Sequence, residues 1–152
     1  MFETMLVAID GSEPGREALA TAIAAAERFG SEVIVLHVLG HKLTWATTVD
    51  LESQEEASAL IDDAVRQLRA AGLSGRGEVV RAATDRTAEE IVRVAGDIGA
   101  SVIVMGTRGL NDATSLVLGS VAHSVVHHAP CPVLLVPRGI VRANNVNTVV
   151  PG

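Results

Sequence analysis

The chain has no tyrosine, two phenylalanines and one tryptophan, Trp45, so it lacks the stacking residues on which single-stranded nucleic acids are held. Basic residues are also scarce. Twelve Lys and Arg stand against 18 Asp and Glu, a net charge of −6 that removes the electrostatic footprint needed to bind phosphate backbones. Nucleic acid is therefore not an expected partner. The single cysteine, Cys131, excludes an intramolecular disulfide and fits a reducing compartment. Hydrophobic residues make up 48% of the chain, yet no apolar run reaches the roughly 18 residues of a spanning helix, and membrane insertion is not expected. Met1-Phe-Glu-Thr-Met-Leu6 carries no basic segment followed by an apolar core. That argues against a signal peptide and for a cytoplasmic location.

What is present is a pattern of short apolar runs alternating with amphipathic segments, in a length of 152 residues that suits one domain. Met5-Leu-Val-Ala-Ile9 and Glu32-Val-Ile-Val-Leu-His-Val38 are continuous and β-branched, as expected of parallel strands buried on both faces. Between them, a helix from about Pro14 to Phe29 puts Ala18, Leu19, Ala22, Ile23 and Ala26 on one side, starts at the cap Ser12 and stops at Gly30. The unit is βαβ. Residues Leu39 to Asp50 have no periodicity and read as a loop. A second helix, about Leu51 to Ala71, repeats the amphipathic pattern through Ala57, Leu60, Ile61, Ala64, Val65 and Leu68. Gly77–Ala82 reads as a strand near the sheet edge, and Thr87-Ala-Glu-Glu90 as a capping box opening a third helix to about Gly96. Ser101–Met105 is a fourth strand, Ser120–His128 a fourth helix and Pro132–Val136 a fifth strand. Such alternation implies a parallel sheet covered on both faces with right-handed crossovers. Residues 1–137 form the expected domain. Residues 138–152 read as a tail in which Val146 to Val150 could add an edge strand.

Chemistry concentrates after the fourth strand, where Gly106-Thr-Arg-Gly109 opens a loop that leads to Leu118-Gly-Ser-Val121 at a helix start. Glycines let a ligand approach the backbone, and a helix N-terminus offers unpaired N–H groups with a partial positive charge. The pairing is an anion site, or else a tight strand-to-helix turn and nothing more. Gly106, two residues, Gly109, nine residues and Gly119-Ser120 resembles the G-x2-G-x9-G-[S/T] nucleotide signature of the universal stress protein family. Val7-Ala-Ile-Asp-Gly-Ser12, Leu36-His-Val38 and Ala129-Pro-Cys-Pro-Val133 extend the resemblance over roughly residues 4 to 136.

The resemblance implies an open five-stranded parallel sheet in the order 3-2-1-4-5, of the adenine nucleotide alpha hydrolase-like kind, with helices on both faces. It further implies an adenosine pocket lined by Ala8, Asp10 and Val38, the last through its backbone, with Asp10 bonding a ribose hydroxyl or adenine edge. The competing role for Asp10 is to bond the N–H groups of its own turn. Phosphates would be cradled by backbone N–H groups of Gly106, Thr107, Arg108, Gly109, Leu110, Asn111 and Asp112 and of Gly119, Ser120 and Val121, with the Ser120 hydroxyl as a further donor. ATP is the implied ligand. Family members often place a Lys or Arg between the second and third motif glycines, and Asn111-Asp-Ala-Thr-Ser115 has none, so AMP or cyclic AMP are alternatives. Arg108, Lys42 or an Mg²⁺ ion bridging Asp112 and the phosphates could restore the missing charge.

The implied role is a dimeric regulatory module in a stress response, with little or no catalysis and a regulated partner that the sequence does not name. The chain has no G-x4-G-K-[S/T] lysine motif and no group to position an attacking water. Alternatives are a slow ATP hydrolase, an autophosphorylating protein or a nucleotide-free dimeric interaction module. A PP-loop transferase would need S-G-G-x-D-S after the first strand, and a receiver domain would need paired acids there. Neither is present. By the same resemblance, Val133, Leu134, Leu135 and Val136 pair with their own copies across a two-fold axis to make a homodimer. Weaker candidates are His37 and His41 as a metal pair, His127 and His128 at a helix C-terminus, and Trp45 as a lid or the cover of a core edge.

Overall fold

The computed structural model describes residues 2–108 and 118–138. The chain runs β1 (Thr4–Ala8), α1 (Glu13–Phe29), β2 (Glu32–Leu43), β3 (Thr48–Asp50), α2 (Gln54–Ala70), β4 (Gly75–Ala83), a 3-10 turn (Thr84–Arg86), α3 (Thr87–Asp97), β5 (Val102–Gly106), α4 (Ser120–His128) and β6 (Val133–Val136). Five strands are parallel, in the spatial order β4-β2-β1-β5-β6. Alternate side chains of the central strands go to opposite faces, which explains why these strands are apolar throughout. Met5, Val7, Val33, Val35 and Val104 meet α1 and α2 through Ala18, Ala22, Ile61 and Leu68. Leu6, Ile34, Leu36 and Ile103 meet α3 and α4 through Ile91, Val94, Ala122 and Val125.

The expected five strands are corrected to six, and the expected loop over Leu39 to Asp50 to a hairpin. β2 does not stop at Val38 but continues to Leu43, and β3 returns antiparallel with His41 opposite Asp50 and Leu43 opposite Thr48. His41 is also paired with Ala83 of β4. Because β4 occupies one edge of β2 there, β3 must lie along the other edge, just past the point where β1 ends. A hairpin thereby stands over the carboxyl end of β1. Local sequence hid it, since Gly40, Lys42 and the Thr-rich turn give neither alternation nor an apolar run.

Helix ends follow local chemistry. Ser12 Oγ accepts the Gly15 N–H at 3.2 Å. Ser53 and Glu56 form a reciprocal capping box on α2. The capping box expected at Thr87 is absent: the 3-10 turn feeds directly into α3, and Thr87 Oγ1 donates to the Thr84 carbonyl instead. β4 and β6 each pair with one parallel neighbour, so they are the outer strands of the parallel array. Among the described residues, no helix is long and apolar enough to cross a membrane.

Candidate functional site

Chain order reverses between β1 and β5: β2 leaves β1 on one side, and β5 joins it on the other. Crossovers on either side of such a point move to opposite faces and leave a crevice at the carboxyl ends of the strands. A cleft of about 400 Å³ lies there. It is lined by Ala8 and Asp10 after β1, by Val38 of β2, by Gly106 and Arg108 after β5, and by Gly119, Ser120 and Val121 at the start of α4. Motifs almost a hundred residues apart thus meet in one cavity.

At one end of the cleft, the chain leaves β5 at Thr107 and returns at Gly119, whose N–H donates to the Thr107 carbonyl at 2.8 Å. The Thr107 N–H in turn donates to the Val136 carbonyl at 3.2 Å, which ties this junction to β6. Gly119 caps α4 without a side-chain bond, and the first intrahelical donor is the His123 N–H, to the Gly119 carbonyl at 2.9 Å. The N–H groups of Ser120, Val121 and Ala122 therefore have no helical acceptor and present partial positive charge to the cleft. Gly109, Leu110, Asn111 and Asp112 lie outside the described residues.

Positive φ does not account for the glycine at two of the motif positions. Neither Gly106 nor Gly119 has a positive φ. A Cβ on Gly106 would stand 2.7 Å from Pro14 Cβ and 3.0 Å from Pro14 carbonyl carbon, so its first duty is to let β5 pack against the start of α1. The positive φ at the site belongs to Gly11, at 84°, in the turn that aims Asp10.

At the other end, Asp10 takes the turn role considered for it. Its Oδ1 accepts from the Ser12 N–H at 3.0 Å and from the Ser12 hydroxyl, which makes the turn after β1. Its Oδ2 has no hydrogen-bond partner among the described residues, and Asp10 lines the cleft. Val38 lines the cleft from β2. The Ile9 N–H donates to the Leu36 carbonyl and the Leu51 N–H to the Gly40 carbonyl, so the even residues of β2 turn their polar groups toward this edge. Val38 lies between them, beyond the end of β1, and offers one donor and one acceptor.

Sequence reasoning missed the wall opposite. His37 is buried, with its Nδ1–H donating to the Ile9 carbonyl at 2.8 Å and its Nε2 against the Glu52 carboxylate. That contact holds Leu51 and Glu52 over the cleft, where Thr84 and Ile91 complete the apolar side. The only signal in the sequence was a histidine inside a buried strand, which needs partners on both nitrogens. His37 and His41 do not make a metal pair, since Glu52 occupies the first. Lys42 is exposed and does not line the cleft, whereas Arg108 does. Trp45 is fully exposed on the hairpin and neither lids the cleft nor covers a core edge.

The model of the universal stress protein family matches residues 1–137. The chain belongs to the universal stress protein family. It is 37% identical over 142 residues to a universal stress protein of Thermus aquaticus encoded 3′ of a sulfhydrylase, covering 90% of this chain and 99% of that one. It is 32% identical over 151 residues to the universal stress protein YxiE of Bacillus subtilis, with 90% and 99% covered. Among solved structures, the universal stress protein of Archaeoglobus fulgidus in complex with dAMP superposes with a TM-score of 0.67 at 26% identity, covering 90% of this chain and 99% of that one. The α/β fold with a mostly parallel sheet is thus the fold of the family.

Proposed function

We propose that the cleft binds an adenine nucleotide and that the chain is a nucleotide-responsive regulatory module of the universal stress protein type, acting in the cytoplasm as a homodimer. The observation that carries this reading is the layout of the cleft. Val38 offers a backbone donor beside a backbone acceptor, which matches the N1 acceptor and N6 donor of adenine and mismatches guanine, where the two roles are reversed. Asp10 Oδ2 faces a ribose from β1, and the open N–H groups of Ser120, Val121 and Ala122 face a phosphate from α4. The Archaeoglobus relative solved with dAMP supports the same class of ligand. A few charge-assisted hydrogen bonds at roughly 1.5–3 kcal/mol each suffice for micromolar affinity, near −8 kcal/mol. ATP, AMP and cyclic AMP all fit that chemistry, with Mg²⁺ accompanying a polyphosphate.

The dimer reading rests on β6. Leu134 is exposed, and among the described residues the outer edge of the strand has no neighbour. Antiparallel pairing of Val133–Val136 with its own copy would satisfy that edge and is isologous by symmetry.

Calorimetry with AMP, cyclic AMP, ADP, ATP and GTP tests the nucleotide reading. Adenine nucleotides should bind one per chain and GTP should not. Affinities all weaker than about millimolar, near −4 kcal/mol, would overturn it. Turnover is expected to be slow, since the lysine motif of the P-loop is missing. Phosphate release faster than about one per second would make the protein an ATPase instead.

A further inference from the structure

The solvent face of α4 carries an arrangement that the cleft does not use. His123 and His127 lie four residues apart, both exposed, with ring centroids 4.6 Å apart and ring planes at 59°. No nitrogen of either ring has a hydrogen-bond partner among the described residues. Residues at i and i+4 share one face of a helix, and two imidazoles so placed can reach one ion. Ligand nitrogens sit about 2.0–2.1 Å from a bound Zn²⁺, which puts two imidazole centroids about 4.5 Å apart at a right angle and about 5.2 Å apart at the tetrahedral angle. The observed 4.6 Å is close to the right-angle value, the tetragonal geometry that Cu²⁺ prefers.

We propose that His123 and His127 form a two-imidazole site for a divalent late transition-metal ion, with water completing its coordination. Imidazole nitrogen favours Cu²⁺, Ni²⁺ and Zn²⁺ over Mg²⁺ and Ca²⁺, and the general affinity order puts Cu²⁺ first. The site is therefore chemically distinct from any Mg²⁺ that a polyphosphate would bring to the cleft. His128 is not part of it. Its Nδ1–H donates to the Ser124 carbonyl at 2.8 Å, and its ring centroid is 6.4 Å from that of His127. Cys131 follows α4 in the chain, but burial pushes its thiol pKa up and away from the thiolate that a metal requires. An ion across one helical turn also clamps α4, whose nine residues are too few to be stable as an isolated helix. Because the clamp exists only when α4 is folded, the ion should raise the melting temperature.

The test is calorimetric titration of the untagged full chain with Cu²⁺ and, separately, Zn²⁺ in a non-chelating buffer, beside thermal melts with and without Zn²⁺. One Cu²⁺ per chain is expected, bound more tightly than Zn²⁺. His123→Gln and His127→Gln should each weaken Cu²⁺ binding by about tenfold or more and abolish the Zn²⁺-dependent rise in melting temperature. Both positions are exposed, so these variants should fold, and unchanged circular dichroism is the check. His128→Gln and Cys131→Ser should bind as the parent does. Equal Cu²⁺ affinity in the parent and in His127→Gln, or loss of binding in Cys131→Ser, would overturn the site, as would no binding by the parent. AMP affinity measured on the same variants keeps this result separate from the nucleotide reading.

Discussion

A Cβ on Gly106, the last residue of β5, would stand 2.7 Å from the Cβ of Pro14 in the first turn of α1. The two residues lie on either side of the switch point, so their contact sets how closely the two halves of the cleft approach. Gly106→Ala should push α1 from β5 and destabilise the chain by about 1–3 kcal/mol, the usual cost of overpacking. Urea unfolding reads it. An unchanged midpoint would mean that α1 yields freely and that the glycine serves the ligand alone.

Gly119→Val separates binding from folding. Gly119 has φ −59° and ψ 153°, an extended conformation that valine adopts readily, so no backbone strain arises. Valine is a poorer N-cap, and the expected loss of stability is about 1 kcal/mol or less. Nucleotide affinity should nevertheless fall below detection, because a branched side chain would cover the N–H groups of α4. Affinity retained in calorimetry would move the anion site elsewhere.

Asp10→Asn keeps an oxygen for the Ser12 N–H and so should preserve the turn after β1. It removes the negative charge from the cleft. With hydrogen bonds to a charged group at roughly 1.5–3 kcal/mol, affinity for AMP should drop about ten- to a hundredfold while the melting temperature changes little. A large fall in melting temperature with unaltered affinity would leave Asp10 a turn residue only.

Glu52→Ala strips His37 of its Nε2 partner in a site where the side chain is only 5% exposed. The expected loss is about 1–3 kcal/mol, the cost of a buried polar group left unsatisfied. Glu52→Gln can still supply a partner through its amide and should recover most of it. Thermal unfolding of both variants checks the contrast. Adenosine affinity should follow the same order, since Leu51 and Glu52 wall the cleft.

Leu134→Asp addresses assembly. A charge on the exposed side of β6 would meet its own copy across a two-fold axis. The parent is expected to be a dimer by light scattering and the variant a monomer. A shortened chain ending at Arg138 adds a control. A parent that is monomeric and dimerises only on truncation would assign the edge to the tail instead.

Some of this was legible in the sequence because it is written in short-range patterns. Apolar runs such as Met5–Ile9 and Ser101–Met105 read as strands buried on both faces, and Ser12, Pro14 and Gly30 bracketed α1 by local capping chemistry. Alternation of such elements dictates a parallel sheet, and a parallel sheet puts Asp10 and Gly106 at one switch point. The motif from Gly106 to Ser120, identified by family resemblance, added the class of ligand proposed above. Tertiary structure alone decided the rest. The β2–β3 hairpin has no local signal, because it forms only where β2 outruns β1 and leaves an open edge for Thr48–Asp50 to pair with. The meeting of His37 with Glu52 depends on that hairpin, and the need for glycine at 106 depends on Pro14, ninety-two positions earlier in the chain. Such contacts join residues that share no periodicity, so their physics exists only once the chain has closed on itself.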